Sequence, residues 1–384
     1  MPRLSARITE TAPKDFGMYA RALGEPGDLI HLELGRPAHD TPGHVKDAAI
    51  AALRAGEVHY SDLRGTPALR GALAAKMRAK GLNVSADQIL VTNGLTQASF
   101  AAFMALLGPG DEAILLAPCY PQHLGKIEMA GARAVLAPLG AAPGFAIDRA
   151  AIEAAITPRT RLIALVNPCN PTGRVYTRAE LQIVADLAIA HDLAVVADEV
   201  YEEIVFDGGH VAIGALPGMA ARTVTMGAFT KSHGMDGWRL GWAAASPEII
   251  AAMGKITATE VTHVNTFIQA GGAAALEGPP EVLAALVADD RRRRDLVVER
   301  LARMRGVTCA APQGTIYAFP DITGTGLGSD EAALRLMREV GVVVESGAFY
   351  GPAGEGHLRV CFGCEGEARL IEAMDRMERF FGAL

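Results

Sequence analysis

Five short segments carry side chains whose types and spacing suit one kind of chemistry. GAFTKSHGMDGWRLGW (227–242) sets Lys231 among small residues, with Thr230 directly before it and Arg239 eight residues on. VVADEVY (195–201) closes an apolar run with Asp198 and adds Tyr201. NPCNPTG (167–173) holds Asn170 in the second of two Asn-Pro steps, which predict a rigid turn. VTNGLTQASF (91–100) reads as strand, turn and helix, so the backbone N–H groups of Leu95 and Thr96, with the Thr96 hydroxyl, form an anion site. PCYPQH (118–123) places Tyr120 between two prolines. Taken singly, each has an ordinary explanation: a solvated lysine, a helix cap, a structural turn, a helix start, a core tyrosine. Together they meet what a phosphorylated pyridine aldehyde requires. A lysine amine would tether the aldehyde, and a carboxylate would keep the ring nitrogen protonated. Donors would reach the phenolic oxygen, an aromatic would cover the ring face, and a helix N-terminus with an arginine would hold the phosphate.

Such groups act together only if the fold gathers them. The middle of the chain alternates short β-branched runs with helical patterns. Strands are predicted at 89–92, 113–117, 161–167, 193–198, 222–227 and 239–245, with helices at 95–107 and 178–191 among them. This rhythm predicts an α/β fold with a mostly parallel sheet covered by helices, in which ligands bind beyond the carboxyl ends of the strands. All five segments lie at such ends. After about residue 280 the pattern changes to a long charged helix (280–304) and short strands near 307–310, 315–320, 341–345 and 357–362. A last helix carries Leu370, Ile371, Met374, Met377, Phe380 and Phe381 as an apolar stripe. The division predicted is a large domain over 46–280 and a smaller α+β domain from 1–45 and 281–384. The extended run DLIHLELG (28–35) packs on the latter.

The composition narrows the function classes. A chain of 384 residues, half of them hydrophobic, exceeds what one core usually holds. A net charge of −7 argues against nucleic-acid or anionic-membrane partners. The run Arg291 to Arg294 follows two aspartates and reads as a solvated helix face. No secretory signal or membrane span is legible, and five scattered cysteines suit a reducing cytoplasm. Cys361 and Cys364 form a CxxC without a second pair or nearby histidine, so they read as buried cysteines rather than zinc ligands.

With these residues in place, the chain resembles the class I/II aminotransferases of pyridoxal-5′-phosphate (PLP) fold type I over nearly its whole length. The resemblance implies a seven-stranded, mostly parallel sheet in the large domain. Lys231 matches the Schiff-base lysine that also shuttles a proton, and Asp198 matches the partner of the pyridinium nitrogen. Tyr201 and Asn170 match the pair on the phenolic oxygen, and Tyr120 the stacking aromatic. Leu95, Thr96, Thr230 and Arg239 match the phosphate cradle. Arg359, in GHLRVCFG, matches the arginine that takes the substrate α-carboxylate, and Gly35 the glycine beside it. Tyr60, in YSDLRGTPALR, matches a tyrosine that reaches the other subunit's phosphate, which implies a homodimer with shared sites.

Two positions depart from the family pattern. Ala228 stands where a phosphate-binding hydroxyl is common, and Arg36 follows Gly35 where an acid or amide is frequent. Substrate choice rests on loops such as Phe16 to Tyr19 and THVNTFIQ (262–269). The first reading is a cytoplasmic aspartate or broad-specificity aminotransferase working through ping-pong half-reactions. The alternatives are an aromatic or kynurenine-type enzyme, a PLP-dependent β-lyase and, more distantly, a PLP-binding regulator without activity. A nicotinamide dehydrogenase based on GTGLGSD (324–330) has the wrong glycine spacing and lies late in the chain. A serine hydrolase based on Ser232 and His233 lacks a nucleophile elbow.

Overall fold

The computed structural model describes residues 3–5, 8–9, 17–24, 27–140 and 144–384. After a short helix (Met18–Ala22) comes a two-residue strand, β1 (Ile30–His31), and then a seven-stranded sheet. Its strands are β2 (Ile89–Thr92), β3 (Glu112–Ala117), β4 (Arg133–Pro138), β5 (Thr160–Val166), β6 (Ala194–Asp198), β7 (Thr223–Ala228) and β8 (Gly241–Ala244). The spatial order is β2-β8-β7-β6-β5-β3-β4. Every neighbouring pair is parallel except those that β8 makes with β7 and β2. Most of these strands are buried on both faces, which is why they read as near-continuous apolar runs.

Alternation along the strands feeds two helical layers. Ile114 and Leu116 face a core with Leu181, Val184 and Ala185, whereas Ala113 and Leu115 face one with Ala98, Ala102 and Phe103. The first layer includes the helix Arg178–Ala190, opened by a Thr177–Glu180 capping box. The second includes the helix Gly94–Leu106. Because β5, β6 and β7 are parallel, Asn170, Asp198 and Lys231 follow three strands that end on one edge. Since β8 runs the other way, Arg239, which precedes it, arrives on that same edge.

The remaining strands are β9 (Tyr317–Ala318), β10 (Val342–Val343), β11 (Glu345–Ser346) and β12 (Leu358–Cys361). The last two and β9 form an antiparallel sheet in the order β11-β12-β9, while β1 pairs with β10 in parallel. Their core combines Ile30 and Leu32 with Val297, Leu301, Leu336, Met374, Met377, Phe380 and Phe381. The stripe on the last helix is therefore a packing face, as its spacing predicts, except for Ile371, which is exposed, and DLIHLELG packs where expected.

Several local expectations change. Strand β4 is absent from the sequence reading. It is an edge strand with partly exposed residues and a terminal proline, so its apolar signal is diluted. Residues 307–310 form no strand and meet Asp321 only through a bridge at Thr308. The long charged helix ends at Leu301. Its arginine run is not uniformly solvated: Arg292 is exposed, but Arg294 is buried, paired with Asp207 and Asp295 and lying 4.9 Å from the Phe206 ring. Cys361 and Cys364 are buried, as read. Among the described residues no helix is long and apolar enough to cross a membrane.

Candidate active site

A cavity of about 260 Å³ opens at the carboxyl edge of the sheet. It is lined by Gly35, Leu95, Thr96, Tyr120, Asn170, Asp198, Tyr201, Thr230, Lys231, Arg239 and Arg359. The fold thus brings together all the sequence-predicted site residues but one. Tyr60 is 85 % exposed and packs against the His263 ring, 4.8 Å between centroids, away from the cavity. Arg36 is exposed and does not line the cavity. Phe16 lies outside the described residues, and the segment 262–269 does not contribute to this wall.

Lys231 donates to the carbonyl of Gly35, which ties the loop after β7 to the segment after β1. Burial pushes its amine down to about 8, because a desolvated ammonium is costly. Asp198, at the end of β6, is 3 % exposed. Its Oδ1 accepts from the Val200 N–H at 3.2 Å, and its Oδ2 lies 3.4 Å from Nε2 of buried His123. Burial lowers the His123 pKa, so the ring is neutral and steadies the carboxylate as an N–H donor. His123 was quoted in the PCYPQH motif, yet its type and spacing alone give it no role.

The start of the helix Gly94–Leu106 forms the third side. Gly94 has φ +73°, and a Cβ there would fall 2.6 Å from Nη2 of Arg239, so the guanidinium lies against the helix N-terminus. Arg239 itself has φ +54°, a costly conformation for a residue with a Cβ, and Nη1 donates to the Asp236 carbonyl at 2.7 Å. Leu95, Thr96 and Thr230 complete this corner. Ala228 ends β7 and does not line the cavity, and the Thr96 and Thr230 side chains supply hydroxyl-bearing residues there.

Opposite lies Arg359 on β12, 7 % exposed. Its guanidinium carbon sits 4.3 Å from the Tyr317 ring centroid and 5.1 Å from that of Tyr350. Nη1 donates to Asn170 Oδ1 at 3.2 Å and Nη2 to the Glu33 carbonyl. Burial works against the charge, but Arg359 stays cationic, with Glu345 among the groups that favour the charged form. Tyr201 and Tyr317 share a hydrogen bond of 2.9 Å between hydroxyls, and burial raises both phenols. Burial also pushes Tyr120 up to about 12. Tyr317, Tyr350, Glu33 and Glu345 were missed from sequence. They belong to short strands or turns whose apposition to β6 and β7 has no local signal.

The donor set fits a phosphorylated pyridine aldehyde. A buried amine faces a buried carboxylate, and a helix start backed by an arginine forms an anion cradle. Comparison with known proteins agrees in kind. The sequence model for aminotransferase class I and II matches residues 27–376. The chain is 39 % identical to an arginine–pyruvate transaminase of Pseudomonas aeruginosa, over 92 % of this chain and 91 % of that protein. It is 37 % identical to an aromatic-amino-acid aminotransferase of Thermococcus litoralis, over 98 % and 97 %. Among solved structures, an aspartate aminotransferase of Thermus thermophilus with maleate superposes with a TM-score of 0.93 at 36 % identity, covering 99 % of this chain and 100 % of that one.

Proposed function

Because the chain belongs to the class I and II aminotransferases and is a PLP-dependent enzyme of that family, we propose that this cavity moves the amino group of a broad range of L-amino acids to a 2-oxo acid, with Lys231 as the residue that tethers the cofactor. The observation that carries the reading is the convergence of Lys231, Asp198, Arg239 and Arg359 on one cavity. When bound, the cofactor supplies an electron sink through its protonated ring. The remaining work falls to the chain. Asp198, steadied by His123, holds the proton on the ring nitrogen. Asn170 and Tyr201 donate to the phenolic oxygen, and Tyr120 covers the ring face.

Leu95, Thr96, Thr230 and Arg239 take the phosphate. Arg359 receives the substrate α-carboxylate as a bidentate pair beside Gly35, a geometry lysine cannot reproduce. Lys231, with its amine lowered to about 8, moves the proton between the substrate Cα and C4′ of the cofactor at near-neutral pH. Relatives named for arginine–pyruvate, aromatic and aspartate transamination support a wide donor range. Exposed Tyr60, far from its own cavity, serves the phosphate of a second copy in a homodimer with shared sites. The working compartment is the cytoplasm. The division into a large domain over 46–280 and a small domain from 1–45 and 281–384 lets the segment after β1 close on the cavity.

Borohydride reduction of the protein with PLP should leave a phosphopyridoxyl group on Lys231, found by peptide mass spectrometry. A modification on another lysine would defeat the assignment. Assays of amino acids with 2-oxoglutarate, reading both glutamate and pyruvate, separate transamination from the β-lyase alternative.

A further inference from the structure

The cations that line the cavity are Lys231, Arg239 and Arg359. On the reading given above, each already has a task at the cofactor or at the substrate α-carboxylate. The carboxylates that line it are Asp198, Glu33 and Glu345, of which only Asp198 is so assigned. Among the described residues, two acids are therefore left over, and no cation.

Both acids are buried. Glu33 is 1 % exposed and Glu345 is 3 % exposed. Glu33 Oε1 meets Nδ1 of His31 at 2.8 Å, but Oε2 has no partner among the described residues. Glu345 accepts from the Met18 N–H at 3.2 Å and the Ser346 N–H at 3.0 Å, and meets no side-chain cation at salt-bridge distance among the described residues. Burying a carboxylate is expensive, and its lone pairs are costly to leave unmet. Burial accordingly raises Glu33 above the usual carboxylate range and pushes Glu345 up to about 7.

Neither acid is needed for packing alone. A glutamine would keep an acceptor oxygen for the His31 ring at one site and for the Met18 and Ser346 N–H groups at the other, and a leucine would fill the volume without the desolvation cost. Their position is informative. Glu33 offers its carbonyl to Arg359, and Glu345 lies directly across the β11–β12 pair from Arg359. The acids thus border the arginine that would grip the α-carboxylate, and Phe349, Tyr317 and Tyr350 provide apolar faces on the same wall.

We infer that Glu33 and Glu345 form a side-chain subsite that, within the broad donor range, favours amino donors with a long cationic side chain, guanidinium or ammonium, over neutral and acidic ones. The inference rests on the reading of this cavity as the amino-acid site. A bound guanidinium or ammonium would compensate the charge on Glu345 in the wall and, from a greater distance, that on Glu33 behind it. A donor such as aspartate would bring a second carboxylate to a wall that already holds two.

The test compares isosteres that differ only in charge. With the PLP-loaded enzyme and pyruvate as acceptor, kcat/KM is measured for L-arginine and for L-citrulline, its neutral ureido analogue. Arginine is expected to exceed citrulline by roughly 10- to 100-fold, the range for a charge-assisted hydrogen bond. Glu33→Gln and Glu345→Gln, which keep the shape and an acceptor oxygen, should each lower that ratio, and the double variant should bring it near one. A readout free of turnover comes from competitive inhibition. δ-Guanidinovalerate should bind more tightly than δ-ureidovalerate, and the variants should erase the difference.

Equal rates for arginine and citrulline in the unaltered enzyme would overturn the inference and leave the aminotransferase site standing. So would variants in which both donors fall in parallel, since that pattern marks a structural role. No turnover with any donor, charged or neutral, would overturn the reading of the site and this inference with it.

Discussion

Replacing Arg359 by lysine separates positioning from mere charge. The guanidinium spends one arm on Asn170 Oδ1 at 3.2 Å and the other on the Glu33 carbonyl, and lies 4.3 Å and 5.1 Å from two aromatic rings. Lysine keeps the charge but offers a single nitrogen on a different stem. It cannot present two parallel donors to a carboxylate while serving Asn170 and Glu33. One charge-assisted bond to substrate is lost, about 1.5–3 kcal/mol. One buried acceptor is left unmet, about 1–3 kcal/mol more. The sum corresponds to a fall in kcat/KM of roughly 10²- to 10⁴-fold. The assay is steady-state transamination with an amino acid and, in parallel, with the amine that lacks its α-carboxylate. The amino acid should lose the full factor, whereas the amine, having no carboxylate to anchor, should change little. If both fall equally, or if the amino acid falls less than about fivefold, Arg359 does not hold the carboxylate and the reasoning fails.

Other expectations concern the cofactor. Burial lowers Lys231 to about 8, and the neutral amine is the reactive form. Capture of PLP by the cofactor-free protein should therefore accelerate as pH rises and level off above about 8. At pH 7.5 about a quarter of the amines are neutral, against roughly one in a thousand at the ordinary lysine value. A rate that kept climbing to about pH 10 would contradict the burial argument. Asp198→Asn should leave the cofactor tethered on Lys231 yet cut kcat by roughly 100-fold or more, since an amide cannot hold the ring nitrogen protonated; a near-normal kcat would remove Asp198 from that role. Gly241→Ala would put a Cβ 2.6 Å from the Gly94 carbonyl carbon and 2.7 Å from the Leu95 nitrogen. Displacement of the helix start should weaken PLP binding by about tenfold or more, read by titration. Mixing Tyr60→Ala with Lys231→Ala tests shared sites: hybrid dimers should regain activity that neither variant has alone, and absence of any gain would refute the exchange.

The sequence by itself settled the parts that local signals carry. Apolar β-branched runs located six of the seven sheet strands, because strands buried on both faces need near-continuous hydrophobicity. The residues directly after them, Thr96, Tyr120, Asn170, Asp198 and Lys231, were legible because strand ends in such sheets face the ligand crevice. Resemblance to the family, rather than spacing, brought in Arg359 and Gly35. Strand β4 escaped because a partly exposed edge strand needs no such run.

Only the tertiary structure decided what surrounds those groups. That His123 comes within 3.4 Å of Asp198 depends on how the helix Pro121–Met129 packs on the helix Gly94–Leu106, where the His123 ring meets Phe103. Tyr317 reaches Tyr201 across 116 residues of chain, and Arg359 reaches Asn170 across 189. Such contacts follow from the packing of separate cores, not from any periodicity. The same holds for Glu33 and Glu345. In sequence they are ordinary acids on extended segments, and only their burial in the cavity wall beside Arg359 makes them a statement about the substrate.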